Sequence, residues 1–144
     1  MPKIAFTAVL LTMSLTALGA VGAQAAPAVL FAGALACPST PNCVNSLEPG
    51  NLAPLSFQGE PAQGMAQLKA TLATFTEATI ERSDASALVA IFTTRLGFRD
   101  EVEFRIDGAT QTIHYRSRSL TGLYDFGKNR ARMQDVKTRF DGMR

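Results

Sequence analysis

Hydrophobic residues recur in two rhythms along this chain. Over residues 61–75, "PAQGMAQLKATLATF", Met65, Leu68, Leu72 and Phe75 fall on one helical stripe, with Gln67, Lys69 and Thr71 elsewhere. Pro61 suits a first helical position, where a missing N–H costs nothing, and Gly64 weakens the first turn. The rhythm then shortens to period two in "EATIERS", "ALVAIFTTRL", "DEVEFRI" and "TQTIHYRSRS", which read as strands. Val89, Ile91, Val102, Phe104, Ile106, Ile113 and Tyr115 carry that signal. From about Phe126 to Phe140 the helical period returns. Phe126, Met133, Val136 and Phe140 line one side, Lys128, Arg130, Arg132, Lys137 and Arg139 occupy others, and Asp125 is the candidate N-cap.

The order helix, four strands, helix predicts an α+β fold in two layers: an antiparallel sheet of about four strands with both helices on one face. Asp107-Gly108 marks a hairpin turn between the last two strands. A loop from Asp107 to Thr110 sets Phe104 opposite Ile113 and Val102 opposite Tyr115, with Glu103 facing His114 and Glu101 facing Arg116. A two-residue loop would set Arg99 against Arg116, and like charges directly opposite destabilise. The longer loop is preferred.

Ahead of the first helix, residues 44–61 carry Pro49, Gly50, Pro54, Gly59 and Pro61 with no sustained period, and read as a connection. The chain divides into a signal at 1–25, an N-terminal extended segment with the cysteine loop at 26–60, and the α+β domain at 61–144. The N-terminus "MPKIAFTAVLLTMSLTALGAVGAQAA" has a short basic start with Lys3, an apolar run and small residues at its end. Ala23 and Ala25 stand at signal-peptidase spacing, which places cleavage before Ala26. The expected location is periplasmic or secreted. An uncleaved anchor is the alternative, since apolar residues continue to Ala36, but Gly19, Gly22 and Gly33 break the run.

Export bears on "ACPSTPNCVNS", residues 36–46. In an oxidising compartment Cys37 and Cys43 are expected to form a disulfide, with Pro38 and Pro41 bending the loop. So short a loop removes little unfolded-state entropy, about 2 kcal/mol. A metal centre needs about four ligands, and the only histidine is His114. No metal or other cofactor is expected. A redox pair more often has two intervening residues at a helix start. Lipid on Cys37 would want a bulky aliphatic residue where Ala34 stands, so that route is kept only as an alternative anchor.

Three stretches, "CPSTPNCVNS" (37–46), "GFRDEVEF" (97–104) and "RSRSLTGLYDFGKNRAR" (116–132), occur in the order found in a known family. From Cys37 to Phe140 the chain resembles the domain of unknown function 1499 family, which carries no biochemical activity to transfer. Leu120 stands where the family pattern has arginine, and Tyr124 where serine is usual.

The chain has 144 residues, 47% hydrophobic and 18% charged, with a net charge of +2, enough for one globular core. That charge is too mild for a nucleic-acid binder, and tryptophan is absent. The densest polar constellation is Arg95, Arg99, Asp100, Arg116, Ser117, Ser119, Asp125, Asn129 and Arg132. Assembled near strand ends and a helix start, these residues would accept an anion such as a carboxylate or phosphate. The plainer reading is structural. There Asp125 caps the helix, Gly122 supplies an unusual backbone angle, Gly127 allows close approach, and the two serines lie under the helix. His114 shares a strand face with Arg116 and Thr112, not with the serines, so nucleophilic hydrolysis is poorly supported. The charge run "KNRARMQDVKTR" reads as a solvated helix face, or as a contact for anionic headgroups or an acidic partner. The expected function is a cell-envelope binding or interaction module with an arginine-rich, anion-accepting surface. Its partner would be an envelope component or a small anionic ligand, with no nucleic acid and no membrane span after cleavage. The alternative is an enzyme using Asp100 or Asp125 with Arg132.

Overall fold

A computed structural model describes residues 34–48 and 52–143. The expected signal and its cleavage point lie outside the described residues. In chain order the elements are β1 (Cys43–Asn45), β2 (Leu55–Ser56), α1 (Pro61–Leu72), β3 (Ala78–Ser83), β4 (Ala87–Thr93), β5 (Arg99–Asp107), β6 (Thr112–Ser119) and α2 (Lys128–Asp141). All strands pair antiparallel in the order β1-β6-β5-β4-β3, and β2 joins the free edge of β6 beyond β1. The fold is α+β, with the four expected strands present as β3 to β6. Two short strands from the segment read as a connection raise the total to six. Their periodicity is invisible because three residues and two residues are too few to show a period.

Helix α1 starts on Pro61, and the Gln63 side-chain oxygen accepts the Glu60 backbone N–H at 2.7 Å, satisfying a donor ahead of the first turn. The helix stops at Leu72, so Phe75 lies past its end; it is buried there edge-on to the Phe92 ring at 5.5 Å. Gly64 does more than weaken a turn. A Cβ at this position would sit 2.7 Å from the Phe57 ring, so the missing side chain lets that ring pack onto the helix.

Alternation along β4, β5 and β6 turns Leu88, Phe92, Val102, Phe104, Ile113 and Tyr115 toward the helices, where Met65, Leu68 and Leu72 of α1 and Met133, Val136 and Phe140 of α2 meet them. Each fully buried Leu or Phe contributes about 2 kcal/mol of transfer free energy, so this layer is the main stabilising term. Strand β4 is buried along Ala87 to Phe92, on both of its faces. Across the far face of β5 and β6, carboxylates and guanidinium groups alternate. Glu103 meets Arg116 at 3.1 Å and also Arg105, while Glu101 meets Arg118 at 2.9 Å.

The β5–β6 register differs from the expected one by two residues: Phe104 faces Tyr115, Ile106 faces Ile113 and Glu103 faces Arg116. Asp107 stays in the strand because its side chain accepts the N–H groups of Ala109 at 3.0 Å and Thr110 at 3.3 Å. With Gln111 at φ 53°, the loop becomes 108–111. A slip of two keeps every side chain on its expected face, so the core assignments survive.

The start of α2 also differs. Phe126 is not on the helical stripe; it precedes the helix at φ 54° and is 85% exposed. Gly127, at φ 77°, is the N-cap, and a Cβ there would meet nothing within 4 Å. Its glycine therefore serves backbone conformation rather than close approach. Two consecutive left-handed residues cannot continue a right-handed helix, which delays the start to Lys128.

Candidate functional site

Where β5 begins and β6 ends, the helix-covered face of the sheet turns polar. Asp100 faces Ser119 across the ladder, and alternation places Ser117 beside them under α2. Asn129 arrives from the first turn of α2 and is fully buried. Ser117 Oγ donates to its side-chain oxygen at 2.6 Å. Its Nδ2 donates to Asp125 at 2.7 Å, the Asn42 carbonyl at 3.0 Å and Ser119 Oγ at 3.1 Å. Arg132, one turn on, donates to Asn129 Oδ1 at 3.2 Å and to Asp100 at 2.6 Å, with its guanidinium 4.9 Å from the Phe92 ring centre.

Asp125 stands two residues before the N-cap yet still caps the helix. Its carboxylate accepts the N–H of Gly127 at 3.1 Å and of Asn129 at 2.8 Å. Burial alone pushes this carboxyl up, but the Asn129 backbone and side-chain bonds and the Gly127 N–H outweigh it, holding Asp125 below its ordinary value. It is a standing anion rather than a poised acid.

Above this floor lies a cleft of about 310 Å³ between the β4–β5 loop and the β6–α2 loop. Its rim is apolar: Leu96 and Phe98 on one side, Tyr124 and Phe126 on the other, with Asp100 and Asp125 below and Lys128 at the edge. These rim residues are 54–85% exposed, and Leu123 beside them is 73% exposed. A second cleft of about 340 Å³ shares Thr94 with the first and is polar, holding Glu77, Arg95 and Arg132. The Asp100–Arg132 pair forms the wall between the two. A smaller cavity of about 150 Å³ at the β3–β4 turn, beside Arg82, Asp84 and Arg105, lies apart from all of this.

The structure thus brings together Asp100, Ser117, Ser119, Asp125, Asn129 and Arg132, with Arg95 exposed nearby in the second cleft. It does not bring in the other two arginines. Arg116 lies on the far face of the sheet, held by Glu101, Glu103 and the Ala36 carbonyl. Arg99, also turned to that face, pairs with Glu81 at 3.0 Å. His114 is on that face too, half-buried between Ser46 at 3.3 Å and Thr112 at 3.3 Å. Burial, partly opposed by the Asp107 charge, lowers its pKa.

Sequence reasoning passed over Asn42 and the apolar rim. Asn42 is buried, accepts Thr40 Oγ1 at 2.7 Å and donates to the Gly122 carbonyl at 2.7 Å, so it anchors the β6–α2 loop. Its place between the cysteines was a signal, since the staple holds whatever lies inside it. The rim's signal was Phe98, Leu123 and Tyr124, large apolar residues beside the turn formers Gly97 and Gly122, while Leu96 and Phe126 fall within the stretches that read as the neighbouring strand and helix.

Among the described residues, no group of three or more His, Cys, Asp or Glu side chains could hold a metal ion, and no helix is long and apolar enough to cross a membrane. Cys37 and Cys43 form a disulfide with Cα atoms 5.7 Å apart, fixing the loop that carries Asn42. No curated protein and no solved structure matches the chain. The stapled loop, the β5 strand and the serine-to-α2 segment that build this site all fall within residues 35–140, which match the family described as a protein of unknown function (DUF1499), and the chain belongs to that family.

Proposed function

We propose that the chain is an exported binding module of the cell envelope, and that the cleft between the β4–β5 and β6–α2 loops takes an amphipathic anion. The observation that carries this reading is the cleft itself, with an apolar rim over a hydrogen-bonded polar floor. An apolar ligand segment would cover Phe98, Tyr124 and Phe126, and Lys128 and Arg95 would receive its anionic end. The arginine-rich surface expected from the sequence contributes less than its count suggests. Arg99, Arg116 and Arg132 already hold carboxylates, which leaves the exposed bases at the cleft margin as the anion acceptors. Catalysis by Asp100 or Asp125 with Arg132 draws less support, because Asp100 is engaged by Arg132 and Asp125 is bound by three N–H donors.

Tyr124 provides the test. Tryptophan is absent, and the other tyrosine, Tyr115, is buried with its hydroxyl donating to the Ala53 carbonyl at 3.1 Å. Titration with hexyl phosphate is expected to change tyrosine emission saturably, with the change lost in Tyr124→Phe and weakened in Phe98→Ser. A flat titration, or one unchanged in Tyr124→Phe, would count against a ligand in this cleft.

A further inference from the structure

We infer that the two loops form a docking surface for an anionic lipid bilayer; this rests on the cleft being a binding site and names what it binds. Leu96, Phe98, Leu123, Tyr124 and Phe126 place five large apolar side chains in solvent at one end of the domain. Contiguous exposed apolar groups of this kind mark interaction surfaces. They come from separate segments, yet they are held together. The Leu120 N–H donates to the Arg99 carbonyl at 3.0 Å, and the Tyr124 and Phe126 rings meet edge-on at 5.0 Å.

The loops are also held in shape. Thr94 Oγ1 accepts the Phe98 N–H at 3.1 Å, the Gly97 N–H donates to the Thr94 carbonyl at 2.9 Å, and Asn42 fastens the Gly122 carbonyl at 2.7 Å. Gly97, Gly122 and Gly127 supply the left-handed turns, at φ between 77° and 81°. The apolar side chains project because the backbone directs them outward, so little ordering remains to be done on contact.

Charge selects the partner. Arg95, Lys128 and Arg130 are exposed around this end. Of the acids there, Asp100 is matched by Arg132 and Glu81 by Arg99, which leaves Asp125 at the cleft floor and Glu77 in the polar cleft against three exposed bases. Projecting Leu, Phe and Tyr side chains within a basic margin fit a lipid headgroup layer, which receives separate wedges without a complementary shape. The stapled loop lies beside this rim: Cys37 is bonded to Cys43, and Pro41, Cys43 and Tyr124 share one surface depression.

The experiment is flotation of the full-length gene product, purified as the cell processes it, with vesicles of three parts phosphatidylcholine to one part phosphatidylglycerol. Binding is expected to fall about tenfold in Phe98→Ser and again in Phe126→Ser, as for withdrawing one aromatic side chain from the lipid. Lys128→Gln is expected to lower it about fivefold. Brominated acyl chains are expected to quench the Tyr124 emission of the unmodified protein, which requires no variant to fold. Equal flotation of parent and both Phe variants, or unquenched Tyr124, would overturn the bilayer as partner. If hexyl phosphate still perturbs Tyr124 when vesicles do not, the bilayer fails and the binding cleft stands. Silence toward both overturns both.

Discussion

Asn129 sits fully buried in the first turn of α2, and its amide ties Ser117 and Ser119 of β6 to the Asn42 carbonyl ahead of β1. Truncation to Asn129→Ala would leave the Ser117 hydroxyl and Arg132 Nη1 short of a partner in a poorly solvated place. We expect a loss of about 3 kcal/mol in urea unfolding, with an unchanged m-value. Two titrating residues give a second expectation. His114 has a folded pKa below its ordinary 6.5, so the stability it supports is complete above 6.5 and declines as pH falls toward the folded value. Asp125 is likewise depressed from 3.8, so its contribution is present above 3.8 and disappears as pH falls through the folded value. Denaturation midpoints followed from neutral pH downward should therefore fall in two separate windows. His114→Gln should remove the upper step, and Asp125→Asn should shrink the lower one, in which the Asp84 carboxyl, held down by the Ser86 and Ala87 N–H groups, also titrates; steps untouched by either variant would contradict the assignment.

At the level of elements, the three-residue strand β1 is too short to hold the edge of β6 by its ladder alone. The Cys37–Cys43 bridge fixes its first residue, and the Asn42 carbonyl then accepts the Ser119 N–H at 3.1 Å. Removing the bridge with Cys37→Ser and Cys43→Ser is expected to cost about 2 kcal/mol on the chain-entropy account. Amide exchange should report the place as well as the amount. The Ser119 amide should exchange faster once the bridge is gone, while the central β4–β5 ladder keeps its protection. Equal acceleration across the sheet would mean that the staple supports the whole domain rather than one edge.

On the scale of the whole molecule, the sheet separates two kinds of stabilisation. One face buries Phe92, Phe104, Tyr115 and both helices, and the other carries interleaved carboxylates and arginines over β5 and β6. The loops at one end carry neither, and there the apolar rim stands open. For such a surface to act in the envelope the chain must be exported. Intact mass of the protein from its own host is expected to show loss of the first 25 residues or so. It should also gain two alkyl groups only after reduction. Retention of the N-terminus, or a lipid mass on Cys37, would instead mean that the domain is tethered.

The α+β class, the four long strands, both helices and most of the core were legible in the sequence, because periods of 2 and 3.6 record which side of an element is buried. Met65, Leu68, Met133, Val136 and Phe140 lie where the stripe put them, and Asp100, Ser117, Ser119, Asn129 and Arg132 do converge. Arg116 did not join them, because neighbours in a strand alternate and its parity sends it to the opposite face. The hairpin register escaped too. Registers two residues apart bury the same side chains, so only the bonds to Asp107 and the left-handed Gln111 choose between them. Periodicity is a local property, and it determined the elements and their faces. The cleft, the rim that includes Phe126 and the β1 and β2 edge depend on which distant segments meet, and only the tertiary structure decided those.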